Sequence, residues 1–155
     1  RLYYNPVMWS GKNQLTADSI AIILSGNKID SLMMYNTAFI VSRDSTKSYN
    51  QIRGKNMVAY FDRNTLSRID VNGNAQTVYY VREEDGNLIG VDLAEASRMK
   101  IKIKDSEIQT ITYHVSVNED MFPEKDLSEK ETRLKNFSWL ERDRPINKYD
   151  IFPRK

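Results

Sequence analysis

The chain has 155 residues, a net charge of +2, 28% charged and 40% hydrophobic residues. That length fits one domain with a real core, and the balanced charge argues against a dedicated nucleic-acid binder. The absence of cysteine excludes disulfides, thiolate chemistry and the usual zinc sites, and no apolar run approaches the ~18–20 residues that cross a bilayer as a helix.

Arg1 in place of Met points to a processed product or a piece of a longer chain. Nine Tyr and five Phe tilt the composition toward strands. The first clear element is a hairpin in "ADSIAIILSGNKIDSLMMYNTA", residues 17 to 38. Ile20, Ile22 and Leu24 alternate with Ala21 and Ile23, the period-two pattern of a strand with one inward face. The turn Ser25-Gly26-Asn27-Lys28 follows, built of residues that tolerate turn geometry. Ile29, Leu32 and Met34 then return on a second strand.

The same unit comes back as "GKNMVAYFDRNTLSRIDVNGNA". Met57, Ala59 and Phe61 lead to the turn Asp62-Arg63-Asn64-Thr65, then Leu66, Ile69 and Val71. A third copy is "ASRMKIKIKDSEIQTITYHVSV". Met99, Ile101 and Ile103 face one way, Lys100, Lys102 and Lys104 the other, and Ile108 and Ile111 follow the turn. In every copy the strand start and the first apolar residue after the turn lie nine positions apart (20 to 29, 57 to 66, 99 to 108). The copies are offset by 37 residues (20 to 57) and then 42 (57 to 99), with "VREEDGNLIGVDLAEA" taking up the difference. The first two copies also share an ending, Asn36-Thr37-Ala38 against Gly73-Asn74-Ala75. Fixed spacing in three places is the mark of stacked supersecondary units, none able to cover its own apolar face.

Stacked hairpins of this kind predict a folded-over, two-sheet sandwich, first strands in one sheet and second strands in the other, meeting at the turns. No closing strand is evident, so a closed barrel is not expected. The end hairpins leave backbone edges open to further strands. The inner face is an apolar trough. Packed tightly, it is only a core; splayed, it holds something greasy and elongated, at ~0.8 kcal/mol per buried methylene. Its expected lining is Ile20, Ile22, Leu24, Leu32, Met34, Met57, Phe61, Ile69, Val71, Met99, Ile101, Ile103 and Ile111, with the methionines suited to an adaptable wall. The parity of the strands after Ala38 and Ala75 is ambiguous, which leaves Phe39, Ile40, Val78 and Tyr79 without a side.

The hairpin "ADSIAIILSGNKIDSLMMYNTAFIVSRD", then "YNQIRGKNMVAYFDRNTLSRIDVNGNAQTVYY", then "FSWLERDRP", resembles the OstA-like family, relatives of the periplasmic lipopolysaccharide-transport protein A. The likeness runs from about Asn13 to Phe152. It is most specific in "NQIRGKNMVAYF", in "VNGNAQTVYY" and in the Phe-x-Trp…Arg-Pro tail, and "PVMWSGKNQLTAD" looks like one such repeat joining the next. The resemblance implies an all-β jellyroll of V-shaped strands, a periplasmic location and no catalysis. It implies a trough that shields the acyl chains of lipopolysaccharide or a related glycolipid during outer-membrane biogenesis. It also implies edge-to-edge joining to other jellyroll-containing envelope proteins. The residues themselves offer no compact catalytic, cofactor or metal site, and the charge balance no nucleic-acid partner. Residues 1–118 would be the repeats and 119–155 a capping segment and tail of the same domain.

Other candidates are weaker. His114, the only histidine, reads as a strand residue more than a general base. The acidic groups Glu83-Glu84-Asp85, Glu119-Asp120 and Glu124 with Asp126 read as solvated loops; "EEDGN" offers oxygen ligands but lacks EF-hand spacing. "GNLIG", with Gly86 and Gly90, is too short for a phosphate loop and no helix follows. Arg98, Lys100, Lys102 and Lys104 form a basic ladder that reads first as a solvated outer face and second as a contact for lipid phosphates or acidic sugars. "SEKETRLKNFSWLERD" predicts a short helix. Ser128 and Glu131 make a capping box, and Leu134, Phe137 and Leu140 fall at helical spacing beside Trp139. That helix would plug one end of the stack, and residues from Asn147 on read as a loose tail. Two alternatives to lipid handling remain: a closed-core interaction scaffold of the envelope, and a glycan-binding β-domain with aromatic stacking platforms.

Overall fold

The computed structural model describes residues 1–144. The strands are β1 Val7–Ser10, β2 Asn13–Thr16, β3 Ser19–Ser25, β4 Lys28–Ser45, β5 Ser48–Asp62, β6 Thr65–Arg82, β7 Leu88–Lys104, β8 Glu107–His114 and β9 Asn118–Phe122. They form one open antiparallel sheet in the order β1-β2-β4-β5-β6-β7-β8, with β3 also on β4 and β9 also on β7. The all-β expectation holds. The strand β9 carries the sheet past residue 118, so the sheet ends at Phe122.

The three hairpin copies are structurally equivalent. Each closes on a two-residue turn, with Ser25 opposite Lys28, Asp62 opposite Thr65 and Lys104 opposite Glu107. Each carries the same bulge next to its turn: the register shifts at Ile23/Leu24, Tyr60/Phe61 and Lys102/Ile103. The extra residues are Asp30, Ser67 and Gln109. They explain why Ile29 and Leu32, Leu66 and Ile69, and Ile108 and Ile111 stand three apart, not two. A bulge inserts one residue and restores the inward parity.

The place of the fold-over differs from the sequence expectation. The layers do not meet at the hairpin turns, and first and second strands lie in the same layer. Long strands such as β4 and β6, of 18 residues each, run through both layers and bend in the middle. Asn36-Thr37 on β4 and Gly73-Asn74 on β6 have positive φ, and so do Val115-Ser116 between β8 and β9. The register skips Asn36-Thr37 of β4 against Lys55 of β5, Gly73-Asn74-Ala75 of β6 against Gly54-Lys55 of β5, and Gly73-Asn74 against Ser97 of β7. Two residues opposing one is a bulge, and a row of bulges bends a sheet. The shared endings seen in the sequence are this crease.

Two layers result. The repeat layer holds β3, the first part of β4, the last part of β5, the first part of β6, the last part of β7, and β8. The other holds β1, β2, the remaining halves and β9. Small residues line the inside of the crease: Ala17 between β2 and β3, then Ala38, Gly54, Ala75 and Ala96 on the long strands, with Ala38 opposite Gly54 and Ala75 opposite Ala96. Gly54 has no room to spare, since a Cβ there would lie 2.3 Å from Val71 Cγ1. The loop 83–87 and the longer return of β7 account for the wider spacing of the third copy.

The C-terminal segment, from Pro123 to Arg144, is not the predicted helix. Among the described residues it makes three short 3-10 turns, Glu124–Asp126, Lys130–Thr132 and Glu141–Asp143. The Ser128–Glu131 capping contacts do form, at 3.0 to 3.3 Å, but only one turn follows them. The segment lies as a strap across the outer face of the second layer, hereafter the strap layer. It does not plug an end of the stack. The expected tail from Asn147, with Pro145 and Phe152, lies outside the described residues.

Candidate functional site

The interior is one apolar cluster drawn from both layers. Leu15, Ile40 and Ile52 of the strap layer pack against Ile20, Leu32, Met34, Met57, Leu66, Ile69, Val71, Met99, Ile101 and Ile103 of the repeat layer. Of the lining expected from sequence, Ile20, Leu32, Met34, Met57, Ile69, Val71, Met99, Ile101 and Ile103 are buried there, and Phe61 and Ile111 pack against it partly buried. Two differ. Ile22 and Leu24 have the inward parity, yet they are 38% and 61% exposed, because β3 is the first edge and no further strand covers them. The side chains fill the space between the layers, so at rest this is a packed core.

Half of the lining escaped the sequence reading. The register settles the ambiguous strands: Ile40 pairs with Ile52 and Leu15 on the inner face, and Tyr79, next to Val78, also points inward. Phe39 and Val78 point outward, beneath the strap. Ala94-x-Ala96 and Ala38, small residues in alternation, were the only signal for that half.

The layers are held together at the mouth, opposite the crease, by few polar contacts. The Asn13 side-chain amide donates to the Ser106 carbonyl at 3.5 Å, and the Tyr79 hydroxyl to the Ile108 carbonyl at 3.4 Å. Both are at the long limit for hydrogen bonds. Gly11 closes the gap, since a Cβ there would sit 2.2 Å from Ser106 Oγ. A polar cleft of about 380 Å³ borders this seam, with Arg43, Asp44, Arg82 and Glu107 on its wall.

A third bridge lies at the β8/β9 end. The Tyr113 hydroxyl donates to Asp92 Oδ2 at 3.0 Å, and Asp92 is buried on the inner face. Burial, then the Asp92 charge, raises the Tyr113 phenol above its ordinary range. Glu119, next to them on β9, is also raised, first by its hydrogen bond to Asp92 and then by burial. Asp92 thus sits between the Tyr113 hydroxyl, which donates to it, and the Glu119 carboxyl, whose proton its charge helps to hold. This cluster was not foreseen, because its members come from three strands.

The remaining sequence candidates scatter. His114 is exposed on the outer row of β8. Asp85 spends both carboxylate oxygens on Asn87, at 2.9 Å each. Among the described residues no group of three or more His, Cys, Asp or Glu is placed to hold a metal ion, and no helix is long and apolar enough to cross a membrane.

The strap is fixed by two fully buried glutamines. Gln14 donates to the Ser138 carbonyl at 3.0 Å and accepts from the Leu140 N–H at 2.7 Å. Gln51 donates to the Thr132 carbonyl at 2.7 Å and accepts from the Leu134 N–H at 2.9 Å. A side-chain amide has the donor and acceptor of a peptide group, so each glutamine pairs the strap as a strand would. Around them, Phe137 and Trp139 meet Tyr49 edge-on or tilted at 5.1 and 5.3 Å, and Trp9 meets Trp139 at 5.2 Å.

No family model, curated protein or solved structure matches the chain.

Proposed function

We propose that this is a periplasmic lipid-handling protein of the lipopolysaccharide-transport type, an LptA/OstA-like jellyroll that shields acyl chains between its layers and joins other jellyrolls through its edges. The observation that carries this reading is the interior: one unbroken apolar cluster between two layers that share a crease and meet at a seam of few, long hydrogen bonds. A resident acyl chain would replace side-chain contacts one for one, at ~0.8 kcal/mol per methylene. Met34, Met57 and Met99 are the wall residues best able to rearrange. The V-shaped strands and the resemblance of "NQIRGKNMVAYF" and "VNGNAQTVYY" to the OstA-like family support the same conclusion, and the envelope location follows from that resemblance alone.

The test uses the lack of native cysteine. A photo-reactive residue at Met57, Phe61 or Ile101 should crosslink a lipid A probe. Linking the mouth through Asn13→Cys and Ser106→Cys should suppress that crosslink, and reduction should restore it. No crosslink from any of the three positions ends the lipid reading.

The filled interior favours a second reading, an interaction scaffold of the envelope. The edges at β3 and at β8/β9 carry backbone groups open to another strand. A scaffold would form concentration-dependent end-to-end oligomers and capture no lipid.

A further inference from the structure

The repeat layer has an outer face that carries no strap. Register assigns it three rows across the sheet. The first is Ile23, Ser31, Tyr60, Arg68, Lys102 and Thr110; the second is Ala21, Met33, Val58, Asp70, Lys100 and Thr112; the third is Ser19, Tyr35, Asn56, Asn72, Arg98 and His114. Four cations and one carboxylate stand in these rows, a balance of +3 (4 − 1). The whole chain carries +2, so everything else sums to −1 (2 − 3). The lone carboxylate, Asp70, is already engaged, 3.3 Å from Arg68 Nε. Arg98, Lys100 and Lys102 are exposed and form no ion pair among the described residues.

We infer that this face docks on an anionic lipid bilayer surface. Charge complementarity selects an anionic partner and orients the molecule, because the positive balance is concentrated on this face while the rest of the chain sums to a slight negative charge. The neighbouring side chains select lipid over nucleic acid. Single-stranded nucleic acid needs open aromatic faces for base stacking. Here Arg68 lies over the Tyr60 ring at 4.1 Å and Arg1 over the Tyr35 ring at 4.1 Å, so both rings are covered. Beside the cations the face is apolar, through Met33, Val58 and Ile23, the last 41% exposed, and Leu24 continues it around the edge. A basic cluster with flanking apolar groups is the pair of signals that peripheral membrane binding needs. The inference is independent of what the interior holds, and it places the crease and mouth side-on to the bilayer.

Vesicle co-sedimentation tests it. The protein should bind vesicles of phosphatidylglycerol in phosphatidylcholine, release as salt is raised, and ignore pure phosphatidylcholine. Each cation near such a surface contributes roughly fivefold in affinity, so Arg98→Gln with Lys100→Gln and Lys102→Gln should weaken binding about a hundredfold. All three point to solvent, so the melting temperature should hold. Neutralising the strap cations, by Lys125→Gln, Lys130→Gln and Lys135→Gln, should leave binding unchanged. Equal binding to both vesicle types, or full binding by the face variant, overturns the proposal. So does tighter binding of single-stranded RNA or of an acidic protein through the same three residues.

Discussion

The two layers are made from the same strands, yet their outer faces are treated in opposite ways. On the strap layer, eight outward positions, Gln14, Phe39, Val41, Tyr49, Gln51, Val78, Tyr80 and Val91, are buried, while Arg53 and Gln76 are half-buried and Glu95 is exposed. On the repeat layer the same parity gives Lys100, Lys102, Arg98, Thr110 and Thr112 exposed and Met33, Val58, Tyr60, Arg68 and Asp70 half-buried, with only Ser19 and Ser31 of the three rows buried. Within a single strand, β7, the outward residues change from Val91 and Leu93 to Arg98 and Lys100 as the crease is crossed. Outward apolar side chains are buried where the strap covers them, and the strap reaches only one layer. Strand periodicity therefore reports a local environment, and one strand can report two.

The largest test of that contrast is to remove the cover. A chain ended at Phe122 loses the contacts of Leu127, Leu134, Phe137 and Trp139, each worth about 1.5 kcal/mol or more when buried. It should lose several kcal/mol in urea denaturation, or fail to fold, and bind a hydrophobic dye. Removing Thr112 or His114 side chains from the bare face should change stability by less than about 0.5 kcal/mol.

A smaller test leaves the strap in place. Gln51→Leu keeps the volume but strands the Thr132 carbonyl and the Leu134 N–H. An unsatisfied buried backbone group costs ~1–3 kcal/mol, so a loss of about 2–4 kcal/mol is expected in the same assay. Asn56→Leu, outward on the bare layer, breaks one crease bond to the Asn36 N–H at a part-exposed site and should cost about 1 kcal/mol.

Gly54→Ala probes what both layers share. The added methyl meets Val71 at the crease, an overpacking that costs ~1–3 kcal/mol. Gly54→Ala with Val71→Ala should recover part of that loss, and the pairwise difference measures the contact.

The smallest effect is a pH dependence at the β8/β9 end. The folded state holds the Glu119 carboxyl above its ordinary 4.5, so the native state keeps a proton that the unfolded chain has released. Its stabilisation is present in full below about pH 4.5 and is lost as pH rises through the raised value. Glu119→Gln removes the titrating carboxyl beside Asp92. Its melting temperature should fall less than that of the native chain as pH rises from 4.5 toward neutrality. Because Glu119 is largely exposed, solvent screening keeps the difference small.

Much of the repeat layer was legible in the sequence. Three hairpins, their turns and nine of the interior residues could be read because each copy packs mainly against its own image, so a local pattern suffices. The position of the fold-over could not. Asn36-Thr37 and Gly73-Asn74 were visible as a shared ending, but a positive-φ pair looks like a turn unless one knows that the strand continues past it. The strap was misread for a similar reason. Leu134 and Phe137 sit three apart on an extended chain as readily as on a helix, and the choice is made by Gln14 and Gln51, far away in the sequence. Ile22 and Leu24 show the remaining limit, since alternation marks a face and cannot tell whether a neighbour covers it.

Because β4, β5, β6 and β7 each thread both layers, neither layer is a separable part. Excising one would sever every long strand. Denaturation should therefore be all-or-none, one sigmoidal transition shared by probes placed in either layer, and limited proteolysis should release no stable half.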